Sequence, residues 1–143
     1  GTSLNDNLST SLSISEKLIY LRGEMNDYEA SSSYLLRKQG NSYCTMAQLR
    51  SDWSPYKFKF ADASWTEGTN FGYLLPPGVI REGAKPLELN PSSTFEEITF
   101  YPESDGIYNF CIHESDSRYY VTVTKSTQTA LKSMIQLFAS SDR

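Results

Sequence analysis

The sequence predicts an α+β fold, a long N-terminal helix packed on antiparallel β-sheets in a pilin-like arrangement. Two observations predict it. Apolar residues recur at Ile14, Leu18, Leu21, Met25, Tyr28 and Leu35, the three-and-four spacing of one helix face. After Gly40 the pattern changes to short β-favouring runs broken by Pro, Gly, Asn and Asp. The chain thus divides into a helix over residues 3–40 and a β-rich globular part over residues 41–143.

The helix has cap candidates at Asn5, Asp6, Asn7, Ser9 and Ser13. The Ser/Thr-rich stretch 9–13 weakens helix propensity, so its first turns should fray. Leu4, Leu8 and Leu12 still extend an apolar stripe toward Leu18. Gly40-Asn41 supplies a C-cap, and Arg37 and Lys38 suit the negative helix end. Next comes a short strand or turn over 42–46, carrying Cys44. Tyr56-Lys57-Phe58-Lys59-Phe60 alternates cleanly and is the clearest strand, with the lysines opposite the aromatics. Residues 62–70 are turn-rich around Trp65. A short apolar run follows over 71–75, and Pro76-Pro77-Gly78 bends the chain. Further strands are expected at 79–80, 87–89, 97–101, 107–112 and 119–123, with a turn at Asp105-Gly106. A last helix is expected over 127–139, with Leu131, Met134, Ile135 and Phe138 on one face. A strand pair is the rival reading there.

A hydrophobic content of 38% and ten Tyr fit a folded chain whose strand faces are half buried. The net charge of -4 argues against nucleic-acid binding, which needs a concentrated basic surface. Two cysteines and one histidine do not make a structural zinc site. A disulfide between Cys44 and Cys111 is the favoured reading, with two free buried thiols as its rival. The bond would close a loop of about 66 residues and stabilise by roughly 4 kcal/mol. The start, Gly1-Thr2-Ser3-Leu4, has neither Met nor a signal peptide and reads as a trimmed chain.

From Tyr56 onward the order of motifs resembles the GspH/FimT-like minor pilins and pseudopilins of bacterial type II secretion systems and type IV pili. The matching segments are Tyr56 to Phe60 followed by Trp65, then Leu75-Pro76-Pro77-Gly78-Val79. Ile98-Thr99-Phe100-Tyr101-Pro102 with Asp105-Gly106 comes next, and Tyr119 to Val123 closes the set. The chain departs from the pattern in its longer hairpin, Glu103 to Gly106, and in a closing turn without glycine.

The resemblance implies a non-enzymatic subunit of a secretion pseudopilus, near its tip. It would be anchored in the inner membrane by a missing, methylated N-terminal segment, with its domain in the periplasm. Leu4, Leu8, Leu12 and Leu18 would pack against other pilin or pseudopilin subunits. A type IV pilus subunit, including one of a DNA-uptake pilus, is one alternative. A stand-alone secreted binding domain is another, and an enzyme is a third class.

The chemical candidates weigh less. His113 with Glu114 and Asp116 lacks a nucleophile elbow. Glu103, Asp105, Glu114 and Asp116 offer oxygen ligands for calcium but lack the spacing of a calcium loop, so no metal or cofactor is assigned. Glu96, Glu97 and Glu103 resemble an acid/base pair for glycoside cleavage, as any acidic sheet edge does. Trp53, in a polar loop, is the better candidate for an exposed contact residue. Trp65 reads as a core or domain-surface anchor. Asn7-Leu8-Ser9 matches a glycosylation acceptor at the level of chance.

Overall fold

The structure, a computed structural model, describes residues 17–126. Ten strands run in the order β1 (Tyr20–Gly23), β2 (Arg37–Gln39), β3 (Ser42–Leu49), β4 (Tyr56–Ala61), β5 (Asn70–Tyr73), β6 (Val79–Arg81), β7 (Leu87–Asn90), β8 (Ile98–Tyr101), β9 (Gly106–Ser115) and β10 (Arg118–Lys125). Single 3-10 turns at Glu24–Asn26, Ser32–Tyr34 and Ser51–Trp53 are the only helical geometry among the described residues.

Alternation explains β4. Tyr56, Phe58 and Phe60 are buried on one face, while Lys57 is exposed on the other. Phe58 pairs with Gly23 of β1 and with Ile98 of β8, so these neighbours take opposite edges of the strand. β5 follows β8 along the same edge, through Phe60↔Phe71 and Ala61↔Asn70. The full path is β2-β3-β9-β10-β7-β5-β4-β8-β6, with β1 added on β4. β9 and β10 form a hairpin whose turn residues, Asp116 and Ser117, have φ of 53° and 65°. Two successive left-handed residues match the right-handed twist of the paired strands.

The path folds into a β-sandwich-like body with an aromatic core. Phe58 of β4 meets Phe110 of β9 edge-on at 5.1 Å, and Phe100 of β8 meets Tyr108 of β9 at 5.4 Å. Phe71 of β5 meets Tyr119 of β10 at 5.1 Å. Each such pair adds about 1 kcal/mol beyond the burial of its area.

The predicted α+β class is therefore corrected to all-β for the described residues. Where the helix over residues 3–40 was expected, residues 17–40 carry two strands and two 3-10 turns. The reason lies in the local pattern. Ile19 and Leu21 are both buried, at 1% and 0% exposure, while Leu18 is 62% exposed, an alternation of period two. That pattern docks on β4 as a strand. Gly23 then lets the chain approach closely, since a Cβ there would stand 2.6 Å from the Lys57 carbonyl oxygen. Asp27 and Tyr28 adopt φ of 56° and 61°, which no right-handed helix allows. Leu18 thus sits on no helix face. Leu4, Leu8 and Leu12, and the expected final helix over 127–139, lie outside the described residues. No helix among the described residues is long and apolar enough to cross a membrane.

Candidate functional site

An open cleft of about 610 Å³ lies between the end of β4 and the loop that joins β7 to β8. Four parts of the chain build it. The turn after β1 contributes Tyr28. β4 and the loop after it contribute Lys59 and Trp65. β5 begins with Asn70, and the loop over 91–97 contributes Thr94, Phe95 and Glu97.

Trp65 is held from behind its backbone and across its ring. Asp62 Oδ1 accepts a hydrogen bond from the Thr66 N–H at 2.8 Å, which closes the loop around Trp65. Burial alone would raise the Asp62 pKa, but the side-chain and backbone hydrogen bonds from Thr66, with others from Thr69 and Ser64, outweigh it and lower it. Trp65 itself has φ of 55°, a left-handed conformation that bulky residues rarely adopt. The Arg22 guanidinium lies 3.7 Å from its ring centroid. Arg22 also donates to the carbonyls of Tyr28 at 2.7 Å, Asp62 at 2.8 Å and Ala63 at 3.2 Å. One buried side chain thereby ties together the two segments that carry Trp65 and Tyr28.

Tyr28 also sits at a left-handed φ, 61°. Its hydroxyl donates to Glu97 Oε1 across the cleft. Burial, then that hydrogen bond and the Glu97 charge, push its pKa well above the ordinary tyrosine range. Two aromatic residues of one cleft thus carry unfavourable backbone conformations, and such outliers cluster where a site must be preformed.

Lys59 is only 3% exposed despite lying opposite the core face of β4. Its ammonium donates to the Thr94 carbonyl at 2.7 Å and lies 5.9 Å from the Trp65 ring centroid. Burial lowers its pKa, and the nearby charges of Glu96 and Glu97 act in the opposite sense. Phe95 is 79% exposed, an apolar ring in water at the cleft's edge. Asn70 is buried, and its Oδ1 has no hydrogen-bond partner among the described residues.

The other sequence candidates lie elsewhere. Cys44 and Cys111 face each other in the β3–β9 ladder and form a disulfide, with a Cα–Cα distance of 4.1 Å. Trp53 is 65% exposed at the opposite end of β4, where the Arg50 guanidinium lies 4.9 Å from its ring centroid and pairs with Asp52 at 2.9 Å. His113 is bracketed by hydroxyls, with Nδ1 2.5 Å from Ser42 Oγ and Nε2 2.7 Å from Thr122 Oγ1. Asp105 accepts from Ser51 N–H and Oγ. No group of three or more His, Cys, Asp or Glu side chains gathers for a metal ion among the described residues.

Sequence reasoning noted Trp65 as an anchor and Glu96 and Glu97 as an acidic pair. It did not single out Tyr28, Thr94, Phe95 or Asn70. The sequence spacing places Tyr28 on a helix face, and the other three sit in segments that only long-range strand pairing brings together.

No protein-family model matches the chain, and no curated protein matches it. Among solved structures the chain is similar to one described as "Ligand induced structure of AmyP-SBD", a starch-binding domain. The match has a TM-score of 0.55 at 17% identity and covers 78% of this chain and 74% of that one. It shows a shared fold. The resemblance to GspH/FimT-like pilins, with its pseudopilin and type II secretion setting, is thereby overturned: the motifs that suggested it are β-strands and bends of a different, all-β arrangement.

Proposed function

We propose that this chain is a secreted, non-catalytic sugar-binding domain, with an α-glucan such as starch as its ligand class. The carrying observation is the cleft itself: Trp65, Phe95 and Tyr28 line it together with one charge of each sign and a buried amide. Sugar rings present C–H faces that pack on aromatic rings, and hydroxyls that seek fixed polar groups around them. The likeness of fold to a starch-binding domain supports the choice of glucan.

Two further features support the reading. Glu97 is the single carboxylate among the described residues that line the cleft, and the Tyr28 hydroxyl already engages it. Glycoside cleavage ordinarily needs two carboxyl groups flanking the bond. The Cys44–Cys111 disulfide suits an oxidising compartment such as the cell exterior.

Trp65→Ala tests the proposal, with Trp53→Ala as control and a far-UV spectrum to show that each variant folds. Trp65→Ala should weaken binding to maltoheptaose and insoluble starch by about 2 kcal/mol, roughly thirtyfold. Trp53→Ala should leave it unchanged. Equal binding by wild type and Trp65→Ala would refute the cleft as the site.

A further inference from the structure

We infer that Asn70 selects the ligand of this cleft, by hydrogen-bonding a hydroxyl of an uncharged pyranose; the inference rests on the sugar-binding reading above. Asn70 lines the cleft yet is 8% exposed, and its Oδ1 is buried without a partner among the described residues. A buried, unpaired amide oxygen is a net cost to a fold, and most proteins avoid it.

The main chain does not need this side chain. The Asn70 N–H donates to the Pro91 carbonyl at 2.9 Å. The Asn70 carbonyl accepts from the Ser93 N–H at 3.1 Å and from Ser93 Oγ at 2.6 Å. Those bonds hold β5 against the loop over 91–97 whatever residue stands at 70. The amide oxygen is therefore unsatisfied among the described residues, at a position fixed independently of it. It stands in the cleft that also presents Trp65.

A hydroxyl is the partner that fits. It both donates and accepts, so it serves the amide whichever end faces the cleft. The charges of the lining point to an uncharged ligand. Lys59 and Glu97 contribute one charge of each sign, and each already holds a partner, the Thr94 carbonyl and the Tyr28 hydroxyl. No surplus cation remains among the described residues of the lining to hold a sugar carboxylate.

The test separates a ligand-facing role from a structural one. Asn70→Leu and Asn70→Ala are compared with the wild-type chain by calorimetric titration with maltoheptaose, cellohexaose, xylohexaose and oligogalacturonate, and by thermal unfolding. The wild-type chain should bind a neutral oligosaccharide at least tenfold more tightly than oligogalacturonate. Both variants should lose at least fivefold in affinity while unfolding at the same temperature or a higher one. A smaller loss of affinity, a lower unfolding temperature in both variants, or equal binding of oligogalacturonate by the wild type would overturn the inference and leave the sugar-binding reading standing. A wild-type chain that binds none of the four would overturn that reading as well.

Discussion

Replacing both cysteines, Cys44→Ala with Cys111→Ala, probes how this fold is stabilised. The bond joins residues 67 apart in sequence. β3 and β9 pair over eight positions, from Ser42↔His113 to Leu49↔Gly106, with the cysteines inside that ladder. The folded ladder positions both residues without the covalent link, so its effect falls mainly on the unfolded chain. Closing a loop of this length removes roughly 15 cal/mol/K of entropy from the unfolded ensemble, or about 4 kcal/mol at room temperature. For a chain of this size the unfolding temperature should fall by about 15 °C. Urea unfolding followed by tryptophan fluorescence checks the magnitude. The urea dependence should steepen, because an unlinked unfolded chain exposes more surface. A loss below about 1 kcal/mol, or an unchanged slope, would show that the bond does not act by closing a loop in the unfolded chain.

Two other perturbations follow from the packing and from the one histidine. Gly72→Ala would place a Cβ 2.1 Å from the Glu96 carbonyl oxygen and 2.7 Å from Ser93 Oγ. The loop over 91–97 must move, so stability should drop by about 2 kcal/mol, and maltoheptaose binding should weaken with it; a urea midpoint and a titration measure both. Burial holds the His113 pKa below its ordinary 6.5. Its contribution to stability is therefore intact above about pH 6.5 and is lost as pH falls through the lower folded value, because the unfolded chain takes up the proton first. Unfolding free energy measured from pH 7.5 to 5 should fall less steeply in His113→Asn than in the wild type, and parallel curves would contradict this.

Much of the strand pattern was legible because burial on one face writes itself as alternation. Tyr56 to Phe60 and Tyr119 to Val123 are strands where that pattern places them. The N-terminal reading failed for a physical reason. Leu18, Leu21, Met25 and Tyr28 satisfy a helical period, but Ile19 and Leu21 satisfy a strand period too. The free edge of β4 decided between them. Local spacing carries no information about which distant edge is available. The cleft was hidden for the same reason. Tyr28, Trp65 and Glu97 meet because β1 pairs with β4 and the loop over 91–97 packs on β5 through Gly72. Asn70 carries no sequence signal, since a buried unpaired amide is visible only once its neighbours are in place.

One cleft, the one built around Trp65, is proposed to receive a sugar. A nitrogen–proton correlation spectrum recorded during titration with maltoheptaose tests it most directly, because the two tryptophan indoles report separately. The Trp65 indole signal and the backbone signals of Asn70 and Phe95 should shift together and saturate with one affinity, while the Trp53 indole stays in place. Shifts centred on Trp53, or a spectrum unchanged by maltoheptaose and by starch fragments alike, would contradict it.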